Sequence, residues 1–133
     1  MSLLIYAVIG LSVTWALYAG YMYVATRSAE GRSAKPLYAE FPQLATQQGK
    51  ALVYCYSEHC GPCRPMSKEV DILAAEGVPV FKLDIMQHTN ISRALGIRAT
   101  PTLIVIEGGT VSRMLLGVKT ASFMSKLVTS TTR

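Results

Sequence analysis

The chain has 133 residues, room for one modest domain and an appendage, and half of them are hydrophobic. Its mean hydropathy of +0.31 is high for a soluble chain of this length, so a membrane segment has to be sought before a fold is argued. A net charge of +5 without a Lys/Arg cluster gives no footing for nucleic-acid binding, and three unevenly spaced cysteines are too few for a disulfide framework.

From Leu3 to Ala25 there is no charged residue. As a helix this stretch is ~35 Å long at ~1.5 Å per residue, enough to cross a bilayer core of about 30 Å with some tilt. Tyr18, Tyr21 and Tyr23 cluster near its end, as aromatic residues do at the headgroup boundary. A cleaved signal peptide is the rival reading. It needs a basic start, a shorter apolar core and a small-residue cleavage site, and none of these is evident. Residues 1–25 are therefore expected to form a transmembrane anchor that meets the lipid bilayer through residues 3–25. Ser12, Ala16 and Gly20 form a small-residue stripe, which is also ordinary in membrane helices. Arg27, Arg32 and Lys35 lie just after the span, and the positive-inside rule places the C-terminal domain in the cytoplasm.

Residues 26–36 are rich in Ser, Ala, Gly and charge and read as a linker. Residues 37–133 are enough for one small core. The spacing of Phe41, Leu44 and Ala45 predicts a helix between Tyr38 and Gln48, with Pro42 limiting its start. Ala51 to Tyr56 is an apolar run of strand formers. Pro62 stands where a helix opens, and Met66, Val70, Leu73 and Ala74 recur at helical spacing up to Gly77. Val78 to Ile85 reads as a strand, Ile91 to Leu95 as a short helix ended by Gly96, and Thr102 to Ile106 as a buried strand. Gly108-Gly109 is a hairpin signal leading into a strand from Val111 to Leu116. Thr120 is placed to cap a last helix carrying Phe123, Met124, Leu127 and Val128. Strands alternating with helices and closed by a hairpin predict an α/β fold: a mixed central sheet flanked by helices.

Cys60-Gly61-Pro62-Cys63 lies between a predicted strand and a predicted helix. Two residues between cysteines at a helix mouth put one sulfur near the unpaired N–H groups of the first turn. Their partial positive charge favours thiolate, the species that attacks a disulfide. A second cysteine close behind completes such an exchange. The rival reading is a structural or metal site, with Cys55, His59, Cys60, Cys63 and His88 as the soft ligands available. The Gly-Pro pair argues against it, and no metal is expected. Cys55 lies inside the apolar run and reads as a small buried hydrophobe. His88 reads as a loop histidine in solvent, and Lys82 and Asp84 as a solvated strand end.

Residues 50–128 resemble the thioredoxin family in colinear segments. Ser57 to Cys63 resembles its active-site segment, Phe81 to Ile85 its central strand, and Leu95 to Thr102 its cis-proline segment. Gly108, Gly109 and Gly117 match later glycines. The resemblance implies a thioredoxin fold, with Cys60 as nucleophile and Cys63 as resolving thiol. It implies a cis peptide before Pro101, and Thr100 and Gly117 on the surface that meets the substrate. His59 stands where the family usually has Trp, and an imidazolium there favours the thiolate and raises the redox potential. Tyr54 stands where the family buries an Asp, and with an ordinary pKa near ~10 it is a poor base. Lys82, Glu58, His59 and water are the candidates for that proton. The family's helix-kinking proline is replaced by Lys68, with Pro65 nearby, and the family's first strand is shortened or absent.

The expected activity is reduction of protein disulfides by a tethered dithiol, since Gly-Pro resembles the reducing branch of the family. Its partners are protein disulfides and an unidentified electron donor or acceptor. A disulfide oxidase or isomerase of exported proteins is one alternative. Anchored members more often face an oxidising compartment, which opposes the charge bias. A non-turnover peptide clamp or assembly chaperone is the other. No nucleotide, flavin or haem motif is present, so no cofactor is expected.

Overall fold

A computed structural model describes residues 1–130, and the last three residues of the domain expected over 37–133 lie outside them. The N-terminal helix α1 runs from Ser2 to Arg27. It is long and apolar enough to cross a membrane. Most of it stands clear of the domain, with Leu3, Tyr6, Leu11 and Trp15 all at least 70% exposed.

The segment expected as a linker is instead built into the domain. Thr26, Ala29 and Ala34 are buried. The N–H of Gly31 donates to the Val111 carbonyl at 2.7 Å, and Val111 donates back to Arg32 at 2.8 Å. Polar composition hid this, because the pairing uses backbone groups whose partner lies some 80 residues away in the chain. The helix expected from Tyr38 to Gln48 is two short 3₁₀ turns, Lys35–Ala39 and Pro42–Ala45, each with proline at its start. Pro42 supplies no N–H to continue the first turn, so the apolar spacing is met by two pieces.

The sheet comprises β1 (Lys50–Tyr56), β2 (Val80–Asp84), β3 (Thr102–Glu107) and β4 (Thr110–Leu116). Their order is β2-β1-β3-β4, with β1 and β2 parallel and the other neighbours antiparallel. Among the described residues no strand precedes β1. Gly108 and Gly109 turn β3 into β4 with φ of 60° and 76°, the left-handed values a two-residue hairpin loop requires. The helices are α2 (Cys63–Ala75), α3 (Thr89–Leu95) and α4 (Ala121–Thr129). The Thr120 hydroxyl accepts the Phe123 N–H at 3.3 Å and caps α4, as expected.

Alternation along the strands divides the core in two. Val53, Cys55, Ile104 and Ile106 face the 3₁₀ turns and α3, packing with Leu37, Leu44, Ile91 and Leu95. Leu52, Tyr54, Leu103 and Val105 face α2 and α4, packing with Met66, Val70, Leu73 and Met124. The central pair β1 and β3 is thus covered on both sides.

Candidate functional site

The chain leaves β1 at Tyr56, turns so that the Cys60 N–H reaches the Ser57 carbonyl at 3.2 Å, and enters α2 at Cys63. Pro62 is the residue before the helix, where its missing N–H costs nothing. Cys60 and Cys63 form a disulfide with their Cα atoms 5.3 Å apart. Cys60 is half-buried and Cys63 is 3% exposed, so the first sulfur is the one open to a partner. Gly61, Pro62 and His59 are exposed beside it. A recess of about 170 Å³ between the segment before Cys60 and the end of β2 is lined by Glu58, His59, Asp84, Met86 and Gln87.

The Thr100–Pro101 peptide is cis. Pro101 is buried and Thr100 half-buried. Cross-strand register brings the flanking segments to one sheet end: Cys55 pairs with Thr102, and Thr102 with Leu116. The N–H of Gly117, the residue after β4, donates to the Pro101 carbonyl at 3.0 Å. Gly117 has φ 88°, a conformation that side chains rarely adopt. Cys60, Cys63, Thr100, Pro101 and Gly117 therefore come from three chain segments at the same end of the sheet, Cys63 as the first residue of α2.

Beneath the disulfide, Tyr54 is fully buried. Its hydroxyl donates to the Cys63 carbonyl at 2.9 Å and meets the Ser67 hydroxyl at 2.9 Å. Where the resemblance implies a buried acid, a phenol thus braces the first turn of α2. Sequence reasoning missed Ser67; it lies four residues after Cys63, hence on the same helix face, and that spacing was the available signal. Lys82 forms an ion pair with Asp71. Asp84 is not the solvated group expected: it is 7% exposed, and its carboxylate accepts the Met86 N–H at 2.9 Å. His88 is not partnerless either; its Nε2 lies 3.7 Å from a Glu40 carboxylate oxygen.

The five candidate soft ligands do not converge. Cys60 and Cys63 bond each other, and Cys55 lies in the core on the opposite sheet face. No group of three metal-capable side chains occurs among the described residues. Cys55 is fully buried and is the one free thiol. Titration of the oxidised native chain with an aromatic disulfide reagent is expected to find no thiol, and titration in denaturant to find one. A rapid native reaction would show that Cys55 is accessible.

Burial pushes the Tyr54 hydroxyl above its ordinary value, outweighing the opposing bond to Ser67 and the charge of Lys82. Burial alone pushes the Cys55 thiol up. The folded chain keeps protons on both groups that the unfolded chain releases near their ordinary values, ~8.5 for thiol and ~10 for phenol. Their contribution is therefore whole at neutral pH and declines as the pH climbs beyond those values. The urea midpoint is expected to fall between about pH 8 and pH 11, and to fall less steeply in a Tyr54→Phe, Cys55→Ala chain. Equal slopes for the two chains would refute this.

Comparison with known proteins agrees with the geometry. The thioredoxin family model matches residues 35–130. A thioredoxin of Chlamydia muridarum is 33% identical over 82 residues, covering 60% of this chain and 80% of the relative. A thioredoxin of Bacillus subtilis is 27% identical over 86 residues, covering 62% and 83%. Among solved structures, a thioredoxin variant from Halobacterium salinarum superposes with TM-score 0.64 at 23% identity, covering 71% of this chain and 88% of that one. Fasciola hepatica thioredoxin gives 0.61 at 24% identity, covering 68% and 90%. With the family model covering most of the sequence and a disulfide at the mouth of α2, this chain belongs to the thioredoxin family and is a thiol–disulfide oxidoreductase.

Proposed function

We propose that the protein is a membrane-tethered reductase of protein disulfides, with residues 1–25 as anchor and the remainder as the catalytic domain. The observation that carries the redox half is the pairing of a half-buried Cys60 with a buried Cys63 at the start of α2. In the reduced chain the Cys60 thiolate attacks one sulfur of a substrate disulfide. That S–S bond breaks, a mixed disulfide forms, and the departing substrate sulfur takes a proton. The Cys63 thiolate then attacks the Cys60 sulfur and releases the second substrate sulfur as a thiol. Two electrons pass to the substrate and the Cys60–Cys63 disulfide is left, to be reduced again by a dithiol donor.

Other residues have supporting roles in this reading. Gly61 and Pro62 set the turn between the sulfurs. His59 offers a polar ring beside Cys60 where relatives have an indole. Pro101 walls the disulfide, and the backbone at Thr100 and Gly117 meets the extended substrate. Gly-Pro between the cysteines supports the reducing direction.

Tethering rests on α1. Fifteen large apolar residues between Met1 and Val24 are at least half exposed, far more apolar surface than a soluble monomer leaves in water. The full chain is expected to stay with membranes through an alkaline carbonate wash. Leu11→Arg with Trp15→Arg places two charges near the middle of the span, each costing about 2.5–3.5 kcal/mol there. That variant is expected in the wash or in aggregates. Release of the unsubstituted chain by carbonate would defeat the anchor reading and leave the redox reading standing.

A further inference from the structure

The path of the chain between α1 and the sheet has a direction. The Ala34 N–H donates to the Gly109 carbonyl at 2.9 Å, at the start of β4. Three residues earlier, Gly31 donates to Val111. Earlier again, Tyr23, Thr26 and Arg27 line one recess together with Met114, Leu115 and Leu116. Finally the Tyr21 hydroxyl accepts from the Arg98 guanidinium at 3.2 Å, which also sits 5.8 Å from the Tyr21 ring centre. Arg98 is two residues ahead of Thr100. Followed backwards from residue 34 to residue 21, each contact lies nearer the end of the sheet that carries Pro101 and Gly117. The apolar span leaves the domain from the same end as the disulfide.

The depth of that end comes from length. A bilayer core of about 30 Å uses ~20 helical residues, so a span beginning at Leu3 is complete near Met22. The Tyr21–Arg98 contact then falls at headgroup level, where a phenol and a guanidinium both have favourable partners. Ala19, Met22 and Ala25 are half-buried, so the domain abuts the last turns of the span rather than hanging below them. In the segments at this end of the sheet, Met86 and Val118 are exposed apolar side chains, and His59, Arg64 and Arg98 are exposed basic ones, with Glu58 among them.

We infer that the disulfide end of the domain faces the bilayer surface, and that its substrates are disulfides in the juxtamembrane segments of integral membrane proteins. This rests on the proposed anchored-reductase function. A sulfur a few residues outside the bilayer meets Cys60 directly, whereas one at the end of a long flexible arm spends most of its time outside reach.

The test uses the full chain in vesicles of phosphatidylcholine and phosphatidylglycerol, reduced beforehand and followed through a single turnover. Two transmembrane peptides carry the same disulfide loop, one immediately after the span and one beyond a Gly/Ser spacer of about twenty residues, ~25 Å in mean reach. The near loop is expected to be reduced about tenfold faster. Equal rates, or a faster distant loop, would overturn the inference. Orientation is read separately, without activity. A fluorophore on Cys60 in the Cys63→Ser chain is expected to be quenched more by headgroup-labelled lipid than one on Gln48→Cys in a Cys60→Ser chain. Gln48 is exposed at the far end of the sheet. Quenching in the reverse order sinks the inference alone. A chain that fails to float with vesicles sinks the anchor, and one that floats but reduces neither peptide nor insulin sinks the reductase; either takes the inference with it.

Discussion

Insulin reduction by a Cys60→Ser chain is expected to be no faster than that of the dithiol donor alone. A serine hydroxyl does not ionise near neutral pH and forms no bond equivalent to S–S, so the exchange has no first step. Cys63→Ser should behave differently. Its half-buried Cys60 still attacks, but no second sulfur stands behind it to release the product. The mixed disulfide with the substrate accumulates and is visible as a reductant-sensitive adduct on a gel. The order of the two sulfurs comes from exposure, since Cys63 is 3% exposed and closed over by the first turn of α2. If the adduct formed instead in the Cys60→Ser chain, the assignment of the two roles would be reversed. Full activity in either variant would leave the fold serving only as a binding surface.

Leu103→Ala is expected to lower stability by about 2–5 kcal/mol. That corresponds to about 10–30 °C in Tm for a domain of this size. Leu103 is fully buried on β3, opposite Tyr54 on β1, in the core beneath α2 and α4. Truncation removes its packing against Met66 and Val70 and opens a cavity that neighbours on two strands and two helices are too constrained to fill. Because Tyr54 braces the Cys63 carbonyl, the loss is next to the chemistry as well as in the core. Leu103→Met, which keeps the volume, is expected to cost less than about 1.5 kcal/mol. Thermal unfolding by circular dichroism decides it. A shift under a few degrees for the alanine variant would show that this side of the core is loosely packed.

The elements that were legible in the sequence share a property: their signal is local. Met66, Val70 and Leu73 show a helix because the face they form repeats every turn, and α2 is found there. Gly108-Gly109 showed a hairpin because the turn itself demands left-handed backbone. The region from Thr26 to Ala45 is not legible from local pattern, for two reasons. Its apolar spacing resembled one helix, yet Pro36 and Pro42 cut it into two turns. Its polar stretch resembled a tether, yet its backbone groups find partners on β4. His88 and Glu40 are likewise a pair that no local pattern can display, being 48 residues apart in the numbering.

By itself the sequence determined that Cys60 and Cys63 stand close enough to pair, the order of strands and helices after residue 50, and a charge-free stretch long enough to cross a bilayer. Each of these is read from residues contiguous in the chain. Only the tertiary structure decided that Tyr54 braces α2 through its hydroxyl, that the segment after the span is bonded to the sheet, and that the span departs from the disulfide end. Those three depend on long-range register, which arises when backbone groups and apolar faces far apart in the chain satisfy each other simultaneously.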